Sequence, residues 1–170
     1  SYHLPWVHPG LNAYSRLEDH YHIEHPGAFS GQGTRVYNPD LGAIALPDFP
    51  GLSEKWDRGA EYVALYPNIL FGVHRDHVFA ILLEPAGQGR TRERVEIYYT
   101  TAEAAESERF APTRTRNAEM WREVFVEDVG VVEGMQRGRN APLFDGGRFS
   151  AVMDSPTHLF HDWVARRLAA

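Results

Sequence analysis

The sequence predicts an α+β domain in which an antiparallel β-sheet packs against one long helix. Four segments rich in β-branched and aromatic residues follow each other between positions 61 and 101, separated by short polar breaks. Strands joined by such tight connections form an antiparallel meander. Beyond position 113 the apolar residues recur at a helical period, which predicts a long helix packed on that sheet.

Composition predicts one globular domain spanning residues 1–170. Of the 170 residues, 43% are hydrophobic and 12% aromatic, which is enough apolar material for a core in a domain of this size. No stretch reaches the roughly 20 apolar residues of a membrane span, and the N-terminus lacks the layout of a signal peptide. We therefore expect a soluble, cytoplasmic protein with no membrane partner.

Charge and cysteine content narrow the function classes. The 17 Lys and Arg against 23 Asp and Glu give a formal net charge of -6, which does not suit a protein that neutralises phosphates, so no nucleic-acid partner is expected. Because there is no cysteine, the chain cannot form a disulfide, a thiolate zinc site or an iron–sulfur cluster of its own. Any metal must be held by His, Asp and Glu.

The first 59 residues give weaker signals for regular structure. Pro5 and Pro9 push the residues before them out of the helical region, so the opening segment is expected to bend. A hairpin is predicted next, with PGAFSGQG in its turn and Val36 and Tyr37 in its second strand. Residues 38–59 are rich in Pro, Gly and Asp and are predicted to be mostly loop.

Two helices are predicted in the second half of the chain. The long helix should run from about residue 114 to residue 139, since this stretch has few glycines and no proline. A terminal helix is predicted over residues 155–169, with Ser155 as its cap and Pro156 in its first position.

Asp128 is the most informative residue of the long helix. With about 100° per residue and Asp128 at zero, Trp121 falls at about +20° and Met135 at about -20°. Asp128 thus lies in the middle of the apolar stripe, while Glu127 lies near its edge. An ionised carboxylate aimed at a core must be paired, protonated or bound to a metal, so an ion pair and a metal ligand are both open.

His3 and His8 supply a possible pair of metal-binding imidazoles. On an uninterrupted helix, a spacing of five residues separates two side chains by about 140°, too far to share an ion. A bend at Pro5 would allow the two rings to converge. Two neutral imidazoles and one carboxylate form the triad of non-haem iron(II) oxygenases, which leaves positions open for dioxygen and substrate.

Three segments of the sequence resemble those of a known family. The run SYHLPWVHPGL, a Tyr-His followed five residues later by His-Pro, is similar to the iron-binding stretch of the alpha subunits of Rieske ring-hydroxylating oxygenases. The segment VFVEDVGVVEGMQRG resembles the family's helix, with an Asp ligand and then Glu and Gln-x-Gly, here Asp128, Glu133, Gln136 and Gly138. The segment LYPNILFGVHRDHVFAILLEP is also similar to a pair of core strands of that family, which begins with an aromatic residue followed by Pro-Asn. The resemblance covers nearly the whole chain.

The resemblance implies a helix-grip fold (START/Bet v 1-like), a sheet wrapped around the long C-terminal helix. It implies that His3, His8 and Asp128 hold one ferrous iron, and that Trp121 and Val124 line the substrate space. The implied activity uses dioxygen to hydroxylate, dihydroxylate or oxidatively demethylate a small organic substrate, either aromatic, as in aromatic hydrocarbon catabolism, or a quaternary amine.

The family's N-terminal Rieske domain, with its [2Fe-2S] cluster, has no counterpart in this sequence. The chain opens at Ser1 without an initiator Met, so we expect either a cropped domain or a natural fragment. Without the Rieske domain it should not turn over alone. The implied partners are a reductase or ferredoxin that delivers electrons, and two further copies in a homotrimer.

The remaining histidines have weaker cases as ligands. His20, His22 and His25 are interpreted as the polar face of a hairpin, although the first two could chelate zinc or copper from one strand face. His74 and His77 flank a short turn and are expected to be exposed there, with a pocket role possible for His74. His158 and His161, one helical turn apart, are read as surface or packing residues.

A second function class stays open beside the oxygenase. The same fold could carry a hydrophobic ligand without iron, with Asp128 as a structural acid. Iron content separates the two classes.

Overall fold

The computed structural model of the chain describes residues 3–39 and 44–169. Its centre is a six-stranded antiparallel sheet in which neighbouring strands follow the order of the chain. The strands are β1 (His20–His25), β2 (Phe29–Thr34), β3 (Ala60–Leu65), β4 (Ile69–Val73), β5 (His77–Pro85) and β6 (Thr91–Tyr99). The predicted four-strand meander is confirmed as β3 to β6, and the α+β class is confirmed with it.

Five α-helices accompany the sheet in the described part of the chain. They are α1 (Leu4–Val7), α2 (Pro9–Asn12), α3 (Ala102–Glu106), α4 (Ala111–Arg139) and α5 (Ser155–Leu168). The long helix ends where the sequence predicts and begins three residues earlier. The predicted cap of α5 is off by one residue, because Asp154 occupies that position and makes no capping bond. None of these helices is long and apolar enough to cross a membrane.

The second strand of the first hairpin lies earlier than the sequence predicts. Its residues are FSGQGT, which were assigned to the turn, while Val36 and Tyr37 follow the strand. The glycines belong there because their neighbours come close. A Cβ on Gly33 would lie 2.2 Å from the Tyr21 ring, and one on Gly31 would lie 2.0 Å from the backbone oxygen of Tyr62. Glycine content therefore reflects close packing here, not a turn.

The core lies between one sheet face and the first half of α4. Trp121 is buried, stacks on Tyr37 and Phe125, and packs against Phe79 of β5. The indole N–H of Trp121 donates to His77 Nε2 at 2.9 Å. This contact fixes the orientation of α4 over the sheet.

The apolar stripe of α4 continues beyond the part of the helix that packs on the core. Val132 and Met135, predicted to face the core with Asp128, are more than half exposed. The residues of α4 that pack on the core cluster end at Phe125. The periodicity therefore predicts the correct face of the helix, but burial of that face stops before Asp128.

The prediction that His74 and His77 are exposed at their turn is wrong. Both side chains are almost fully buried, and their rings stack with centroids 4.3 Å apart. The turn is covered by the preceding loop, since the Arg75 guanidinium binds the Asp48 carboxylate and the Phe49 N–H donates to the Arg75 carbonyl at 2.7 Å. A short polar turn is thus not exposed when a loop packs over it.

We predict that His74 makes stability depend on pH. Burial lowers its pKa well below the ordinary value, and the nearby His77 lowers it further. The unfolded chain therefore takes up a proton near pH 6.5 that the folded chain does not, so stability is full above that pH and falls as the pH drops, by at most about 1.4 kcal/mol per pH unit. Urea unfolding at pH 7.5 and 5.5 measures this loss.

His74→Phe should reduce the loss, while the same change at the exposed His25 should leave it unchanged. His20, whose pKa burial also lowers, contributes in the same direction and remains in both variants. An equal loss in parent and His74→Phe would refute the assignment.

We further predict that Trp121→Ala destabilises the fold by about 3–5 kcal/mol, because a large buried aromatic leaves a cavity. Trp6→Ala is the matched control, since Trp6 is exposed and its loss should cost about 0.5 kcal/mol or less. Denaturant unfolding compares the two. Equal stabilities would show that Trp121 does not anchor α4.

Candidate metal centre

His3 and His8 lie at the two ends of α1, so neither stands inside a helix. His3 occupies the N-cap position and His8 the C-cap position. The backbone of His8 has φ -119° and ψ 65°, outside the helical region, as expected for a residue before proline. The bend therefore occurs at His8, before Pro9, and not at Pro5 as the sequence analysis expected. Tyr2, part of the recognised motif, lies outside the described residues.

The bend brings both imidazoles to Asp128 of α4. His3 Nε2 lies 3.2 Å from His8 Nε2. Asp128 Oδ1 lies 3.4 Å from His3 Nε2 and 3.1 Å from His8 Nε2. Three ligand atoms thus form a small triangle, two of them from the opening segment and the third from a residue more than a hundred positions later in the sequence.

This triangle fits a bound metal ion. Metal bonds to imidazole nitrogen and carboxylate oxygen are about 2.0–2.2 Å long, so ligand atoms in adjacent octahedral positions lie about 3 Å apart. The three observed separations are close to that value. In the described residues, this is the only group of three or more His, Cys, Asp or Glu side chains close enough to share an ion.

The three side chains differ in their exposure. His8 is 3% exposed, whereas the side chains of His3 and Asp128 are 44% and 39% exposed. Burial alone would raise the pKa of the Asp128 carboxyl, but its contacts with His3 and His8 outweigh that effect and lower the pKa. Asp128 is therefore a carboxylate at neutral pH, and solvent can reach the side of the triangle formed by His3 and Asp128.

Glu127 is a residue of the site that the sequence analysis did not identify. Its Oε2 atom lies 2.7 Å from His8 Nδ1, on the opposite side of the ring from Asp128. Helical periodicity placed Glu127 at the edge of the apolar stripe and thus outside the site. The sequence feature that could have identified Glu127 is its position directly before Asp128, a candidate ligand.

Trp121 and Val124, the predicted substrate-lining residues, both face the core. Trp121 is buried within it, and Val124 is partly buried against it. Neither lines the surface pocket beside Leu17 and Tyr21 or the one beside Phe149 and Ser155. Their contact with a substrate stays a prediction.

The other histidines make contacts that need no metal. His22 Nδ1 lies 3.0 Å from Ser155 Oγ, and the ring of His25 stacks on Phe29. His158 and His161 both pack edge-on against Phe149. These contacts agree with the polar-face and packing interpretations of the sequence.

Comparison with known proteins points to one family. The profile of the family described as "Ring hydroxylating alpha subunit (catalytic domain)" matches residues 1–170. A putrescine 2-hydroxylase of Ralstonia nicotianae is 30% identical over 97% of this chain. A second putrescine 2-hydroxylase, from Bordetella bronchiseptica, and a chloroplastic choline monooxygenase from Arabidopsis thaliana are each 26% identical, over 97% and 85% of this chain.

Solved structures show the same fold. A quaternary ammonium Rieske monooxygenase, described in relation to carnitine oxidation and inter-subunit electron transfer, superposes with a TM-score of 0.71 over 97% of this chain and 43% of its own, at 21% identity. A structure of such a monooxygenase with its substrate L-carnitine gives a TM-score of 0.59 over 85% of this chain and 34% of its own, at 22% identity.

The chain spans less than half of the curated relatives, covering 47%, 40% and 36% of their lengths. The family profile nevertheless matches the chain from end to end. The chain therefore belongs to the catalytic-domain family of Rieske ring-hydroxylating oxygenase alpha subunits.

Proposed function

We propose that this chain is the mononuclear-iron catalytic domain of a Rieske oxygenase, and that His3, His8 and Asp128 hold the ferrous iron. The observation that carries the proposal is the triangle of Nε2, Nε2 and Oδ1 atoms, 3.1–3.4 Å on each side. Two imidazoles and one carboxylate on one face of an ion are typical of non-haem iron(II) oxygenases.

The residues of the site hold the ion and leave room beside it. Bound ferrous iron would supply the activation of dioxygen for insertion of oxygen into an organic substrate. Asp128 contributes the single negative charge among the ligands, and its lowered pKa keeps that charge in place. His8 is buried, so its side of the site is closed to solvent. His3 and Asp128 are more exposed and border the side from which a substrate can approach.

For the substrate we propose a small organic amine, which is hydroxylated or oxidatively demethylated. The relatives support this choice, because their names refer to putrescine, choline and carnitine. Putrescine and choline are cations and L-carnitine is a zwitterion, so all three carry a positively charged nitrogen. The aromatic substrates that the sequence analysis kept open find no support in these comparisons.

We also propose that the whole protein carries a Rieske [2Fe-2S] cluster outside this chain, since the chain has no cysteine to hold one. Electrons would reach the cluster from a reductase or ferredoxin. A homotrimer would allow a cluster in one subunit to serve iron in the next, and a related monooxygenase is described in terms of inter-subunit electron transfer. The 170-residue chain alone would bind iron without turnover.

The helix-grip arrangement belongs to the same proposal. Packing of Trp121 and Phe125 against one sheet face supports it. The alternative function, an iron-free carrier of a hydrophobic ligand, would leave the triangle of donor atoms without a role.

We predict that the chain binds about one ferrous ion per molecule after anaerobic reconstitution, since three ligands define one site. Asp128→Ala should abolish this binding, because it removes the only carboxylate of the triangle. Metal analysis after gel filtration measures the ratio. Glu119→Ala, an exposed acid of α4, is the matched control and should bind like the parent. Equal iron in parent and Asp128→Ala would refute the proposed site.

We predict that the iron-loaded chain prefers amines over aromatic hydrocarbons. Putrescine, choline and L-carnitine should be compared with toluene by their effect on the electron paramagnetic resonance spectrum of the nitric-oxide adduct. At least one amine should alter the spectrum, because a ligand beside the iron perturbs the bound reporter. A response to toluene alone would reverse the assigned substrate class.

A further inference from the structure

We propose that Glu127 is a positioning residue for the metal ligand His8, and that it fixes the imidazole in the tautomer that presents a free Nε2 lone pair to the ion. The inference rests on the proposed iron site and deepens it. The observation behind it is the 2.7 Å contact between Glu127 Oε2 and His8 Nδ1.

Two consecutive residues of α4 hold the two nitrogens of one ring. Asp128 Oδ1 lies 3.1 Å from His8 Nε2, and Glu127 Oε2 lies 2.7 Å from Nδ1. Successive side chains of a helix diverge by about 100°, so the two carboxylates reach the ring from opposite edges. The ring is also 3% exposed, which leaves it little freedom to rotate.

The contact decides which nitrogen carries the proton. A neutral imidazole has one N–H and one lone pair, and a metal ion needs the lone pair. A carboxylate can only accept a hydrogen bond, so Glu127 holds the proton on Nδ1. In the ion-bound form the lone pair would then be on Nε2, which is the nitrogen that faces His3 and Asp128.

His8 and His3 are held differently. In the described chain, the contacts of the His3 ring are with His8 and Asp128 at Nε2, and no carboxylate holds its other nitrogen. His3 is also far more exposed than His8. Glu127 therefore acts on the buried ligand, whose orientation sets the position of the site.

A carboxylate behind a metal-bound histidine also makes that histidine a better ligand, because it stabilises the positive charge that the metal draws onto the ring. Loss of such a partner commonly weakens metal binding 10- to 100-fold. Glu127 adds a second negative charge near the ion without being a ligand.

The test compares Glu127→Ala and Glu127→Gln with the parent chain. Ferrous iron is titrated anaerobically against a chromophoric chelator. Glu127→Ala should weaken iron binding about 10- to 100-fold. The iron affinity of Glu127→Gln should lie between those of the parent and Glu127→Ala, since its amide oxygen still accepts a hydrogen bond from Nδ1–H. Glu123→Ala is the matched control, because Glu123 is an exposed acid one turn earlier on α4 and should leave affinity close to the parent value.

A second measurement separates metal binding from folding. Thermal unfolding of each variant shows that the fold is retained.

The outcomes separate this inference from the proposed function. If the parent binds no iron, the proposed function fails. If the parent binds iron in an Asp128-dependent way and Glu127→Ala binds it equally tightly, only the role of Glu127 is overturned. An equal loss of affinity in Glu127→Gln and Glu127→Ala would overturn the role of the hydrogen bond at Nδ1 as well.

Discussion

The convergence of two imidazoles and one carboxylate on a single point is the interaction on which the rest of the site depends. It joins the short opening helix α1 to the long helix α4, since His8 contacts both Glu127 and Asp128. Bringing a buried imidazole between two carboxylates is favourable only if its nitrogens find partners. Nδ1 of His8 contacts Glu127 and Nε2 faces Asp128 and the proposed ion position, so this ring is the point at which the two helices meet.

The sheet contributes by fixing α4. Trp121 stacks on Phe125 and donates to His77 of β5, so one turn of the helix is locked in rotation and position. Glu127 and Asp128 follow within two turns and project from a helix whose orientation is already set. Beyond them, Val132 and Met135 are exposed, so the packing of α4 on the core lies in the part before the candidate metal centre. A core cluster distant from the triangle of His3, His8 and Asp128 thus determines where the carboxylates lie.

Much of this arrangement could be predicted from the sequence, and the failures have identifiable physical causes. Periodicity places Asp128 on the correct face of α4. It also predicts that Asp128 points into the core, whereas the side chain is 39% exposed. Glu127 was missed because periodicity places it at the edge of the apolar stripe, whereas a buried ring can lie between the side chains of two adjacent helix residues. His74 and His77 were misplaced because a local turn pattern carries no information about the loop that packs over it.

Charge connects the metal centre to the proposed substrates. A ferrous ion held by two neutral histidines and Asp128 would keep one positive charge, which would repel a cationic amine. The Glu127 carboxylate, which contacts Nδ1 of the ligand His8, would offset that charge and leave the centre formally neutral. Because opposite charges attract more strongly in a partly buried site than in bulk water, this offset would favour an approaching ammonium group. The carboxylate that orients His8 would therefore also make the centre compatible with an amine, and an uncharged aromatic substrate would gain nothing from it.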